Sequence, residues 1–471
     1  MSNNMSNTTS NQHAQPFWND TAAQISGQLW LPTSSLQASE WNSKPIAHGW
    51  GTCLRWSSGA DGYSNLQELF VAEPEAEATR TTDEPALRVK RFRVYPTAQE
   101  KDILRKWFGA ARWTYNECLR AIKDERVRKS MKDLRARAIN KEAIDALKTP
   151  WLKETPYDIR NAAMDDLLKA FASGVARHKN DKCKDLVAFN IKYRSRKRCS
   201  QESIVVHRQH WRRRAGKYAF LRHMKCHEQL PEELPHDSRL VLERGTGHFY
   251  LCVPGAVEVV ERPAAVPRVV SLDPGVRTFL TGYTPDGEVI ELGKGDIGHI
   301  HRLCHPLDVL HSRLSMKGLD HWTRWPMRRA AARIRRRIRN LVDDMHKRAA
   351  KYLCSSYGLV ILPTFPTQQM VDKGRRKIGS KTARAMLTWS HYRFQKRLLD
   401  KVGEYPCRVV LVSEAHTSKT CGACGHLNNV GSSKTFRCSH CGLVCDRDIN
   451  GARNILLRYC SKLERGESVM D

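Results

Sequence analysis

Four cysteines, Cys421, Cys424, Cys438 and Cys441, stand in the order C-x2-C-x13-C-x2-C within the 471-residue chain. Two such pairs supply four thiolates, the full tetrahedral shell of one Zn²⁺ ion. The segment is therefore expected to fold around a single structural zinc with no open coordination position. Gly422, Gly425 and Gly442 permit the turns in which backbone amides face the sulfurs. Cys445 falls just outside the spacing and reads as an ordinary core thiol. The chain's 15 cysteines are an odd number, widely spread, so zinc and free thiols explain them better than a disulfide framework does. A reducing, intracellular setting is the expectation. The start, MSNNMSNTTSNQHAQ, has no secretory pattern, and no run reaches the ~18 to 20 apolar residues of a membrane span, so no membrane partner is expected.

Charge points to the partner. Lys and Arg number 79 against 49 Asp and Glu, and 41% of residues are hydrophobic, enough for two or three packed domains. Residues 1–85 carry three basic and nine acidic side chains, which leaves +36 on the rest. A body so charged binds polyanions. Runs such as RSRKR (194–198), WRRR (211–214), RIRRRIR (333–339) and KGRRK (373–377) build the excess. Any one alone reads as a solvated face; four in one chain make nucleic acid the leading partner.

Residues 1–85, polar and without periodicity, are expected to be a disordered tail. LRVKRFRVY (87–95) alternates as a strand does, and Thr97 with Glu100 forms a capping box ahead of an amphipathic helix. Helical patterning continues to about residue 178, and strands return at 186–193, 203–206 and 239–254, the last with a hairpin loop at Gly245, Thr246 and Gly247. This predicts a β module interrupted by a helical insertion. From residue 268, RVVSLD, TFLTGY and EVIEL form a meander, followed by a basic helical stretch (about 300–353), a strand at 358–363, a helix from Ala383 to Val402, a strand at 407–414, the cysteines, and a helix from Asp448. That is the order of an RNase H fold, within a mixed α/β and β multidomain chain.

Asp273 closes the apolar run VVSLD, and Asp448 opens the last helix. The plain readings are a turn residue and an N-cap. First strand and last helix are, however, where RNase H enzymes place metal-binding carboxylates. Two divalent ions ~3.5 to 4 Å apart there would need hard oxygen ligands.

RVVSLDPGVRTFLTGY, ILPTFPTQQMV, SKTARAMLTWSHYRFQKRLL, SEAHTSKTCGACG and CDRDINGARNILLR together resemble the RuvC nuclease domain of Fanzor proteins, eukaryotic relatives of the transposon-encoded TnpB nucleases. RVYPTAQEKDILRKWFGAARWTYN is similar to that family's opening segment, and the match runs from about residue 87 to 458. The resemblance implies an RNA-guided DNA endonuclease that uses two Mg²⁺ ions and one structural Zn²⁺. Its implied partners are a guide RNA from the transposon end and target double-stranded DNA beside a short motif; a monomer is favoured, in the nucleus if the host is eukaryotic. The implied segments are a wedge-type β-barrel (86–100 and 185–266) split by a helical recognition domain (101–184). RuvC (267–416) follows, then a zinc ribbon (417–445) and the RuvC final helix and tail (446–471).

One departure matters. Where TnpB-like nucleases carry a glutamate after the fourth strand, this chain has Thr364. A hydroxyl does not replace a carboxylate as a charged metal ligand. Glu414 ends the neighbouring strand, as Fanzor sequences resemble one another in doing. Strands side by side lie about 4.8 Å apart, which brings a long side chain within reach of the same metal. The expected catalytic set is thus Asp273, Glu414 and Asp448. Two alternatives stay open: an RNA-guided DNA binder without cleavage, and a zinc-ribbon transposition factor that binds DNA without RNA.

Weaker features remain. His299, His301, Cys304 and His305 offer metal ligands but lack a second matched cluster. Asp446 is expected to pair locally with Arg447. Trp107, Trp113 and Tyr115 alternate with Arg105, Lys106 and Arg112, so some belong to a core and others are free to stack on bases.

Overall fold

A computed structural model describes residues 87–465, except 181–190, 198–199, 212–214, 261–267, 375, 377, 414–415 and 432. The expected tail, Glu414, and parts of three basic runs lie outside the described residues. The chain divides into two compact units: Thr81–Glu258 with Cys304–Ile338, and Val259–Leu303 with Arg339–Asp471. Among the described residues no helix is long and apolar enough to cross a membrane.

The first unit opens on β1 (Leu87–Tyr95), then α1 (Ala98–Lys123). The capping box is formed: Thr97 Oγ1 accepts from Glu100 N at 3.3 Å, and Glu100 Oε2 accepts from Thr97 N at 2.6 Å. Helices α2 (Met131–Ala138), α3 (Lys141–Ala146) and α4 (Tyr157–Asn180) follow. Strands β2 (Gln201–Val206), β3 (Lys225–Cys226), β4 (Ser238–Glu243) and β5 (His248–Ala256) join β1 in an antiparallel sheet ordered β2-β4-β5-β1-β3. Its apolar face closes over α1: Phe92, Leu104, Trp107, Phe108, Trp211, Leu240 and Phe249 share one core. Trp107 and Tyr115 are therefore packing residues, both at most 5% exposed. The strand expected at 186–193 is not seen in its described part, where 191–193 are irregular.

The second unit contains β6 (Val269–Pro274), β7 (Leu280–Tyr283), β8 (Val289–Leu292), β9 (Leu359–Pro363) and β10 (Arg408–Val412) in the order β10-β9-β6-β7-β8. β6, β7 and β8 run antiparallel in turn, while β9 and β10 run parallel to β6 and to each other. That is the RNase H arrangement, with the meander on one side and the crossover strands on the other. The basic stretch forms two helices, α5 (Asp296–Ser315) and α6 (His321–Ser356). The helix expected over Ala383 to Val402 is two, α7 (Ser380–Trp389) and α8 (His391–Val402), because Ser390 turns left-handed at φ 54° and ends the first. The strand expected to reach residue 414 stops at Val412. β11 (Thr435–Arg437) and β12 (Val444–Asp446) form the hairpin of the cysteine ribbon, and α9 (Arg447–Glu464) packs Ala452, Ile455, Leu456 and Tyr459 against Val269, Tyr283, Ile361 and Val412.

Candidate functional site

Packing of α9 on β6 brings Asp273 to the last helix. Ser271 Oγ, two residues earlier and on the same strand face, lies 2.8 Å from the Ala452 carbonyl and 3.0 Å from that of Tyr283, and is fully buried. Asp273 then points at Gly451: a Cβ there would stand 2.7 Å from Asp273 Oδ2, so only glycine admits the carboxylate this close to the helix axis. Asp448 lies one turn earlier on that helix, on the same face. Burial raises its pKa above the ordinary carboxylate value, and the Asp446 charge adds to the rise against Arg447, Lys434 and Arg277. The two expected carboxylates are thus neighbours, and at least one resists carrying its charge alone.

The role expected of Asp446 changes. It is the N-cap of α9, accepting from Asp448 N at 2.9 Å, and its ion partner is Lys434 at 3.0 Å. Arg447 instead leans toward Asp448, with Nε 3.8 Å from Oδ1. The cap is thus made by Asp446, and the Asp448 carboxylate is not used for it.

On the other side of the sheet, β9 and β10 are adjacent as the Glu414 argument requires, with Pro363 opposite Val412. Thr364 N donates to Val412 O at 2.8 Å, and its hydroxyl lies 3.4 Å from the same carbonyl. Its side chain is held by the strand beside it. Among the described residues the carboxylates do not close into a group of three, since Glu414 lies outside them.

The loop between Asp273 and β7 rests on a ring stack. Phe279 lies between His346 and His391, at centroid distances of 5.1 and 4.8 Å, and Trp389 Nε1 donates to Val276 O at 2.9 Å. His346 Nε2 donates to the Trp389 carbonyl at 2.8 Å, which fixes a neutral tautomer. Burial, with Arg397 nearby, brings His346 down to about 4, and burial with His346 beside it brings His391 down to about 3.

The four ribbon sulfurs lie within 4.8 Å of one another, with Cys421–Cys441 and Cys424–Cys438 both at 3.6 Å. A Zn–S bond of about 2.3 Å needs sulfurs roughly 3.8 Å apart, so the quartet fits a tetrahedral ion. Gly425 and Gly442 take the positive φ of 76° and 73° that the turns demand. Burial raises the Cys438 thiol, but hydrogen bonds from the Cys441 and His440 amides, Asn428 and Cys424 together outweigh it and bring it to about 6. Among the described residues no second cluster of three or more ligands exists, so His299, His301, Cys304 and His305 do not form one.

Two buried asparagines on α9, not singled out in the sequence, join ribbon and helix. Asn450 Oδ1 accepts from Gly422 N at 2.9 Å while its amide donates to Thr420 O at 2.8 Å. Asn454 donates to Thr417 O at 2.8 Å and Thr420 O at 2.7 Å. Their signal was two amides four residues apart inside the apolar pattern DINGARNILL.

Together these features define the class: an RNase H-type α/β unit whose last helix follows a four-cysteine ribbon, in a chain with a second, β-and-helix unit. Residues 391–455 match the family model described as "Cas12f1-like, TNB domain", and residues 86–129 match one described as "Helix-turn-helix domain", here a strand and one long helix. The chain is 30% identical to "Putative transposase A625R" of Paramecium bursaria Chlorella virus 1, over 82% of this chain and 89% of that protein. It is 24% identical to "TnpB-like protein L770" of Acanthamoeba polyphaga mimivirus, over 81% and 75%. It is 23% identical to "Putative RNA-guided DNA endonuclease InsQ" of Escherichia coli (strain K12), over 81% and 95%. The chain belongs to the TnpB/IS605-like transposase family.

Proposed function

We propose that the chain is an RNA-guided DNA endonuclease of the Fanzor type, and that Asp273, Asp448 and Glu414 form its cutting centre. The observation that carries this reading is the seating of the Asp273 carboxylate against Gly451, one helical turn from Asp448. Two carboxylates gathered at one helix face, with burial already opposing the charge of Asp448, are a donor set suited to hard divalent cations. Bound Mg²⁺, two ions in this reading, would stabilise the attacking and leaving oxygens of phosphodiester hydrolysis. Asp273 and Asp448 hold the ions in this scheme, Glu414, two residues beyond the end of β10 in sequence, is the third ligand, and the stacked loop at Phe279 keeps Asp273 in place.

The ribbon's Zn²⁺ has a structural role, since four thiolates leave no site for substrate. In this reading 86–100 and 185–266 are the wedge barrel, 101–184 the helical recognition domain, and 267–416 with 446–471 RuvC around the ribbon at 417–445, while Cys304–Ile338 within the RuvC bounds belongs to the first compact unit. The guide RNA comes from the transposon end, the target is double-stranded DNA, and the protein acts as a monomer, in the nucleus where the host has one. The name carried by the InsQ relative supports the same activity.

The test is to purify the chain from its host context, sequence the RNA that comes with it, and challenge the complex with matching DNA and Mg²⁺. One defined RNA and metal-dependent cutting support the reading. Defined RNA without cutting leaves an inert guided binder, and DNA binding without any RNA leaves a transposition factor.

A further inference from the structure

The first unit holds a cleft of ≈550 Å³ whose charged lining residues are cationic but for one. Lys101 and Arg112 come from α1, Arg196 from the loop before β2, Arg244 from the β4–β5 turn and Arg329 from α6; Glu202 is the one carboxylate among its lining residues. Glu202 receives Arg112 at 2.7 Å and Arg244 at 2.6 Å, so its single charge is shared and two guanidiniums are held in fixed positions. Among the described residues no carboxylate pairs with Lys101, Arg196 or Arg329. Cations gathered without matching carboxylates repel one another, and a bound polyanion relieves that repulsion.

An aromatic ring stands in the same cleft. Trp325 is 52% exposed, and the Arg329 guanidinium lies 4.8 Å from its ring centroid, which leaves much of the ring open. Trp322, one turn earlier on that helix face, is 83% exposed. The face is fixed further along. Arg336 donates to Glu243 at 2.8 Å and to Tyr250 Oη at 3.2 Å, and a Cβ on Gly245 would meet Ala332 at 3.4 Å. Gly247, at φ 73°, places bare backbone beside Arg329, where a phosphate can approach without meeting a side chain. Arg112 also lines an adjoining cleft of ≈450 Å³ that contains Trp113 and Trp151, whose rings meet edge to face at 5.8 Å. Cations alternating with aromatic rings form a path for a strand whose bases are unpaired, because a duplex hides its base faces in its own stack.

We infer that this cleft binds a single-stranded phosphodiester chain, with one base stacked on Trp325 and the flanking phosphates held by Lys101, Arg196 and Arg329. The inference rests on the nucleic-acid reading above and adds the strandedness and the site. Guide RNA and an unwound DNA strand share this chemistry.

The test uses the full chain, washed free of nucleic acid at high salt, with labelled oligouridylate, oligothymidylate and a DNA duplex of equal length. Trp325→Ala should weaken single-strand binding about tenfold, as the loss of one base stack does, with duplex binding and the salt slope unchanged. Trp325→Phe should restore most of it. Lys101→Gln with Arg329→Gln should flatten the log–log salt slope by roughly 1.4, about 0.7 for each lost phosphate contact. An effect on oligouridylate alone supports the site and assigns it to RNA; an effect on oligothymidylate alone supports it and assigns it to DNA. Parental single-strand binding by Trp325→Ala, or equal weakening toward duplex, overturns the site while leaving the guided-nuclease reading intact. A parent chain that binds no nucleic acid overturns both.

Discussion

Asp273 and Gly451 touch: a methyl group on Gly451 would stand 2.7 Å from Asp273 Oδ2. The contact joins the first strand of the sheet to its last helix, and it explains why a residue with poor helix propensity sits in the buried interior of α9.

Gly451→Ala should therefore separate stability from activity. Alanine improves helix propensity by up to about 1 kcal/mol, yet its methyl group displaces the Asp273 carboxylate. Cleavage is expected to fall at least about tenfold, equivalent to ~1.4 kcal/mol of barrier, with guide RNA retained and the melting temperature within a few degrees of the parent. Parental cleavage by this variant would remove Asp273 from the reacting centre.

Asp273→Asn, Asp448→Asn and Glu414→Gln should each lower cutting about a thousandfold or more, roughly 4 kcal/mol, without loss of RNA or target binding. Thr364→Ala should cut at the parental rate, because the Thr364 hydroxyl is engaged with the Val412 carbonyl. Single-turnover cleavage measures all four. A Glu414→Gln enzyme as fast as the parent would show that the third ligand lies elsewhere.

Elemental analysis should return about one zinc per chain. Cys424→Ser should lose it, along with ribbon order, because the binding energy of a structural zinc is also folding energy. Amide exchange over residues 417–446 reads the second effect, and a metal-free parent that keeps a protected ribbon would refute the zinc assignment.

The histidines on either side of Phe279 give the second unit a pH-sensitive stability. Their folded pKa values, about 4 for His346 and about 3 for His391, lie below the unfolded value near 6.5. The unfolded state thus takes up protons first as pH falls. Stability should be flat above pH ~6.5 and decline below it, by about 1.4 kcal/mol per pH unit for each histidine until its folded pKa is reached. His391→Phe should reduce the slope in denaturant melts between pH 6 and 4; an unchanged slope would place the titration elsewhere.

Affinity for nucleic acid should fall linearly on a log–log plot against salt, since phosphate contacts release counterions. Removing residues 1–80, which belong to the acidic end of the sequence, should leave guide-RNA binding unchanged in a gel-shift titration.

What could be read from the sequence followed from local rules. The Thr97 capping box, the meander beginning at Val269 and the cysteine spacing each depend on residues a few positions apart, and all three are in the structure. What stayed hidden depends on tertiary contacts. Nothing local in DRDING distinguishes the capping aspartate from the one facing the site, and Asp446 takes the cap because its backbone leaves β12 extended. The break at Ser390 follows from packing on both sides of that residue, with Trp389 and His391 each turned into the core. Gly451 carries no signal of its own in the sequence, and its role follows only from the Asp273 carboxylate beside it.

Ser271 and Ala452 meet across 181 residues of sequence. During synthesis the basic first unit and the Asp273 strand leave the ribosome long before α9 does. A chain that ends after residue 338 but before α9 therefore has every residue of the charged clefts and lacks Asp448, a ligand in the proposed centre. Under the proposed guided-nuclease reading, such fragments compete for guide and target without cutting, so translation errors in this gene should yield antagonists of the full protein rather than unguarded nucleases.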